Sequence, residues 1–217
     1  MTYANIEEAL HAGILSLNQR EPKEREYFRI SSIGQCPCKQ VGERAGLVPT
    51  NPPNQRSVFK MWAGAVLHVS AQQALTAVGY LDPTKTEVEV TYGGYIGHPD
   101  GVAGDAVIEI KTTDDDAITR YPEIPPHYVF QGLTYCLALN LSKVIILQIG
   151  RSQGLTRNRL FWVTDEFRHT LDIHIKKMHL AWTTWKESGV LPLHEHRYSW
   201  EDRLCPFLEK KETPHGA

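Results

Sequence analysis

The sequence predicts an α/β protein, layered α/β/α around a mixed central sheet. Three observations carry that expectation. Residues 86–112 alternate in polarity and are interrupted at Gly93-Gly94 and at Ala103-Gly104-Asp105, the pattern of a three-strand meander. Residues 143–150 (KVIILQIG) are a continuous apolar run, as a strand buried on both faces requires. Residues 58–78 and 166–188 repeat apolar side chains at three- and four-residue intervals, the period of amphipathic helices.

Taken in order, residues 3–18 read as a short helix, followed by the charged segment NQREPKEREYFR. The stretch SSIGQCPCKQVGERAG is a turn entering a short helix, and TNPPNQ breaks the chain before the next one. The helix at 58–78 sets Met61, Ala65, His68, Gln72 and Leu75 on one face. Strands follow at Thr86–Tyr92, Tyr95–Val102 and Ala106–Thr112. Asp114–Asp116 read as a solvated acidic loop. Pro125-Pro126 opens a helix running to Leu139, since a helix start needs no N–H donors there. A further strand is expected at Asn158–Thr164, and the last helix buries Leu171, Ile175, Met178, Trp182 and Trp185. The expected organisation is one domain over 1–217, with a core at about 55–190 and the segments 1–54 and 190–217 packed together as a cap.

Composition narrows the function classes. A hydrophobic fraction of 41% and a charged fraction of 22% belong to a globular chain that buries a core. No apolar stretch is long enough to cross a bilayer, and MTYANIEEALHAGIL lacks the basic start of a secretory signal. The expectation is a cytoplasmic protein without a membrane partner. With a formal net charge of -2, nothing pulls a polyanion toward the whole surface. A local basic patch must do so, drawn from Arg20, Lys23, Arg25, Arg29, Lys39, Arg44, Arg151, Arg157 and Arg159.

The chemistry concentrates on two strands. Pro99-Asp100 lies on the second strand of the meander and Glu109-Ile110-Lys111 on the third. Residues two apart share a strand face, about 6.6 Å apart. Val107, Glu109 and Lys111 therefore point one way, and Ala106, Ile108, Ile110 and Thr112 the other. A charged pair on a central strand is costly to bury unless something uses it. Two carboxylates and the backbone carbonyl of Ile110 are hard oxygen ligands suited to Mg2+ or Mn2+. Such an ion activates water and neutralises a phosphoryl oxygen. Lys111 would orient the attacking water or assist its deprotonation, and would offset charge in the transition state. Glu89 shares a strand face with Glu87, and is either a second carboxylate beside the metal or solvent-exposed. His98, two before Asp100, either points into the site or packs, and packing is the expectation.

Together these residues resemble the PD-(D/E)XK nuclease superfamily, with Asp100, Glu109 and Lys111 as its catalytic set. The chain looks like the RecB-like branch, similar to CRISPR-associated and viral RecB-type exonucleases. That branch carries a histidine on a helix before the meander, matched by AGAVLHVSAQQAL with His68, and Gln-x-x-x-Tyr after the lysine, matched by Gln131 and Tyr135. The likeness spans roughly residues 30 to 150. It implies a restriction-endonuclease-like fold, a metal site formed by His68, Asp100, Glu109 and the Ile110 carbonyl, and contacts from Gln131 and Tyr135 to that site or to DNA. It also implies an exonuclease on single-stranded or end-processed DNA, with a helicase, recombinase or single-strand-binding protein as partner. Endonuclease action at the same site, or a non-catalytic DNA-binding or assembly subunit, are the alternatives.

RecB-like relatives often hold an iron–sulfur cluster through one upstream and three C-terminal cysteines. Here Cys36 and Cys38 supply the upstream position, Cys205 stands alone after the core, and Leu208 occupies the place of another cysteine. A four-cysteine cluster cannot form on that pattern. Cys36, Cys38 and Cys205 with His194-x-His196 could instead bind zinc. Cys136 reads as a core residue.

Overall fold

The computed structural model describes residues 5–18, 22–196 and 205–208. Helix α1 (Ile6–Asn18) leads to strand β1 (Phe28–Arg29), a 3-10 turn at Ile30–Ser32, and α2 (Pro37–Arg44). Helix α3 (Gln55–Ala77) follows, then β2 (Val90–Tyr92), β3 (Tyr95–Gly97), β4 (Gly101–Ala103) and β5 (Ala106–Thr113). Next come α4 (Asp115–Arg120), α5 (Pro126–Ala138), β6 (Lys143–Gly150), β7 (Thr156–Trp162) and α6 (Asp165–Ser188). The fold is a mixed α/β one with flanking helices, and no described helix is long and apolar enough to cross a membrane.

The main sheet has the order β4-β5-β6-β7, with β5 and β6 parallel and the outer pairs antiparallel. A second sheet has the order β1-β3-β2. The predicted meander is therefore split between two sheets. Its middle strand breaks at His98-Pro99-Asp100, where Pro99 has no N–H to continue a ladder. Its first strand begins only at Val90, because Glu87 adopts a left-handed φ of 54°, a conformation costing a non-glycine residue about 1 kcal/mol. The Glu87 N–H donates instead to the Pro99 carbonyl at 3.1 Å. Strand β1 lies in the predicted charged segment, where Phe28 pairs with Tyr95 and their rings stack at 5.1 Å.

The two faces of β5 separate as the alternation requires. Ile108 and Ile110 pack with Leu81 and with Ala71 and Leu75 of α3. Val107 joins the larger core with Val144 and Ile146 of β6, Leu133, Tyr135 and Cys136 of α5, and Leu171, Ile175 and Met178 of α6. Each such aliphatic side chain contributes roughly 1.5–3 kcal/mol by leaving water. Trp182 and Trp185 are only half-buried; they stack at 5.0 Å, and the Arg44 guanidinium lies 4.0 Å over the Trp182 ring. The predicted acidic loop is helix α4. Asp115 is buried and accepts from Ser152 N at 2.8 Å, Ser152 Oγ at 2.5 Å and Gln153 N at 3.0 Å. These donors hold its carboxyl down to about 2.

Candidate active site

The break before β4 builds the site. Because the ladder between β4 and β5 stops at the Gly101–Ile108 pair, the edge of β5 beyond it has no strand partner on that side. The Asp100 carboxylate fills the gap, accepting from the Ile110 N–H through Oδ2 at 2.5 Å. A strand residue's N–H and C=O leave the same edge, so the Ile110 carbonyl also opens on that side. Helix α3 supplies the other wall. His68 Nε2 lies 3.0 Å from Asp100 Oδ2, and one turn later Gln72 Nε2 donates to the Asp100 carbonyl at 2.6 Å and to Glu87 Oε1 at 3.1 Å. The Asp100 hydrogen bond raises the His68 pKa, against burial that lowers it.

From the opposite wall, α5 presents Gln131. Its amide bridges the pair on β5, donating to Glu109 Oε1 at 2.7 Å and accepting from Lys111 Nζ at 3.0 Å. Lys111 Nζ also donates to Glu109 Oε1 and sits 5.0 Å over the Tyr128 ring. Gly132 lets α5 approach this closely, since a Cβ there would stand 2.7 Å from Val144 Cγ2.

Glu109 is 1% exposed, and its second oxygen, Oε2, has no hydrogen-bond partner among the described residues. Burial pushes its pKa far above the carboxylate range, the Asp100 charge adds to the shift, and Lys111 only partly offsets it. Burial disfavours the Lys111 ammonium too, but Glu109 and Asp100 outweigh that and hold its pKa above the ordinary value. A buried carboxylate oxygen without a donor is the kind of group that a cation satisfies. The expected donors (the Asp100 and Glu109 carboxylates, the Ile110 carbonyl and the His68 imidazole) suit Mg2+ or Mn2+ in kind, but the ligand atoms that gather within 4.8 Å of one another are those of His68, Glu87 and Asp100, without Glu109.

These groups open into one cavity of about 740 Å³. Arg25, Arg29, Lys60 and Arg151 line it, as do Tyr27 and Tyr128; His98, expected to pack, instead stands half-exposed on the same wall, because it precedes the Pro99 break. Lys60 and Arg151 bind Asp114 at 2.9 and 2.6 Å and hold its pKa below the usual range.

The structure thus brings together Asp100, Glu109, Lys111, His68, Ile110 and Gln131. Tyr135 is fully buried at the back, and a Cβ on Gly97 would lie 2.7 Å from its hydroxyl. Glu89 does not join them. Its side chain is 64% exposed and pairs at 3.8 Å with His98, because the left-handed turn at Glu87 precedes it and carries Glu87 to the site instead. The ligand atoms of His68, Glu87 and Asp100 lie within 4.8 Å of one another. Alternation alone placed Glu87 and Glu89 on one face; nothing local marks the turn. Gln72 was legible only as a member of the His68 stripe.

Of the other basic candidates, Arg44 and Arg157 serve the fold. Arg157 binds Gln148 and the carbonyls of Ile118 and Tyr121. Arg20 lies outside the described residues. Cys136 is in the core, while Cys36, Cys38 and Cys205 gather elsewhere, around α2.

The fold has counterparts among solved structures. The crystal structure of SSO0001 matches with a TM-score of 0.58 at 20% identity, covering 93% of each chain. The alkaline exonuclease LHK-Exo of Laribacter hongkongensis, in complex with dAMP, matches with a TM-score of 0.52 at 17% identity, covering 70% of this chain and 80% of that one. At these identities the likeness is one of fold. No protein-family model matches the chain, and neither does any curated protein.

Proposed function

We propose that this protein is a metal-dependent deoxyribonuclease of the PD-(D/E)XK superfamily, RecB-like branch, that hydrolyses phosphodiesters from the ends of single-stranded or end-processed DNA. The observation that carries the reading is the buried Glu109 Oε2, without a hydrogen-bond partner among the described residues, near Asp100 and His68 and on a carboxylate that Lys111 contacts. Asp100, Glu109, His68 and the Ile110 carbonyl would hold the cation, with Glu87 nearby. That cation supplies Lewis acidity toward a phosphoryl oxygen and the attacking water.

Each residue then has a definite task. Lys111, beside the proposed cation, orients the attacking water or assists its deprotonation and offsets negative charge in the transition state. Gln131 fixes both members of the Glu109–Lys111 pair, and Gln72 holds the Asp100 backbone. Arg25 and Arg29, on the cavity wall, bind backbone phosphates as charge-assisted donors. The cavity is the size of a small-ligand pocket, which takes a strand end or a few splayed nucleotides; Tyr27 and Tyr128 offer faces for stacking. The alkaline exonuclease with the same fold was determined with dAMP, which supports a nucleotide as occupant.

The test is digestion of end-labelled single-stranded, duplex and circular DNA with Mg2+, Mn2+ or chelator. The reading expects metal-dependent shortening of linear strands and intact circles. Cleaved circles would make the enzyme an endonuclease. DNA binding without cleavage in any metal would leave a binding subunit.

A further inference from the structure

A second cluster of donors lies outside the proposed active site, where three separate segments meet. Cys36 caps the N-terminus of α2 and Cys38 sits in its first turn. His194 and His196 follow α6, and Cys205 belongs to the described C-terminal segment. None of the cysteines is in a disulfide, and all three of these thiols are buried. Cys205 stands close enough to Cys36 and Cys38 to perturb both thiols. Its Sγ lies 3.6 Å from His194 Nδ1, and the Cys38 Sγ lies 3.8 Å from His194 Nε2. The donor atoms of Cys36, His194 and His196 all fall within 4.8 Å of one another. The Glu195 N–H also donates to Cys36 Sγ at 3.4 Å.

Two alternatives are excluded by the chain itself. A four-cysteine iron–sulfur cluster does not fit, because the sequence has four cysteines and Cys136 is committed to the core with Val107 and Val144. Simple apolar packing does not account for two imidazoles drawn into a thiol cluster. A single tetrahedral ion does. Sulfur at about 2.3 Å and nitrogen at about 2.1 Å from one centre stand roughly 3.6 Å apart, which the Cys205 Sγ–His194 Nδ1 separation matches; because one imidazole ligates through one nitrogen, Cys38 Sγ, now beside Nε2, turns toward that same centre when the ion binds.

We propose that Cys36, Cys38, Cys205 and His194 hold one structural Zn2+, with His196 beside them. The three thiols release their protons to solvent as the ion binds, leaving thiolate ligands. The consequence is a clamp on the C-terminal segment. That segment is otherwise seated by Asn51, which donates to the Cys205 and Pro206 carbonyls at 3.0 and 2.9 Å, and by Phe207 on Cys36 and Cys38. The clamped helix α2 in turn supports the site wall. Its Gln40 accepts from the Tyr95 hydroxyl at 3.0 Å, and Tyr95 packs on Phe28 next to the cavity-lining Arg29.

The test is elemental analysis of the full chain, purified without added chelator from cells supplied with both zinc and iron. It is paired with the visible spectrum and with melting before and after chelation. The expected result is about one zinc per chain, no iron or labile sulfide, and no colour. Chelation should lower Tm by roughly 10 °C, the scale of losing a ligand that binds far below its working concentration, and zinc should restore it. Cys38→Ser and His194→Ala should retain little zinc, while Cys136→Ser and Asp100→Ala keep it. Iron with sulfide, a metal-free protein indifferent to chelator, or full zinc in both Cys38→Ser and His194→Ala would each overturn the proposal. Because the readout is metal content, its failure leaves the nuclease reading untouched.

Discussion

If Glu109 holds a cation as proposed, it makes the stability of this protein depend on pH and metal together. Its ordinary value is 4.5, and burial raises it in the fold. Between those two values the folded chain keeps a proton that the unfolded chain has released, so stability falls as pH rises through that window. Each unit of the shift removes about 1.4 kcal/mol, worth roughly 3–5 °C in Tm for a domain of this size. His68 acts with the same sign: its contact with Asp100 stabilises below the unfolded histidine value and is lost as pH rises through the raised folded one. A divalent cation bound at Glu109, as proposed, would replace the proton and remove the penalty. Melting should therefore be followed from pH 5 to pH 8 in chelator and in Mn2+, for wild type and Glu109→Gln. In chelator, wild type should lose at least about 3 °C more than the variant over that range. Mn2+ should raise the wild-type Tm more at pH 8 than at pH 5, and hardly move the variant. Equal pH profiles for the two proteins in chelator, or equal Mn2+ shifts, would refute the reasoning.

Four further perturbations follow from named contacts. Gln131→Ala unties Lys111 from Glu109; steady-state kinetics should show kcat down about 10–100-fold, with a stability loss of about 1–3 kcal/mol in urea unfolding. Arg29→Ala removes one proposed phosphate contact, so a salt titration of DNA binding should show weaker affinity and a slope shallower by about 1. Gly150→Ala would place a Cβ 2.2 Å from Asp115 Oδ1 and should cost about 1–3 kcal/mol by overpacking. Asp115→Asn should lower Tm at pH 7 and progressively less as pH falls from the ordinary 3.8 toward 2, because a carboxyl held down to about 2 loses its contribution only there.

Much of the site was legible because strand periodicity is rigid. Once 106–112 is a strand, Glu109 and Lys111 must share a face with Val107, and Ile108 and Ile110 must face a helix. His68, Gln131 and Tyr135 were legible only through resemblance, since each alone is an ordinary helix residue. What escaped depends on backbone turns that side-chain pattern does not encode. The left-handed Glu87 exchanges places with Glu89. The Pro99 break divides the meander between two sheets and frees the Ile110 N–H for Asp100. Asp115 reads as one of three solvated acids until the turn at Arg151–Gln153 is seen wrapping its carboxylate. Phe28 was hidden in a charged segment, because two residues are too short for any period to show.

The most direct measurement is cleavage of end-labelled single-stranded DNA by wild type, Asp100→Ala and Lys111→Ala in Mg2+ and in Mn2+, with Mn2+ binding measured on the same three proteins. The account predicts that both substitutions lower the cleavage rate at least about a thousandfold. Asp100→Ala should also lose Mn2+, while Lys111→Ala, which removes a charge rather than a ligand, should keep it. Metal-dependent cleavage at the wild-type rate in either variant would contradict the account.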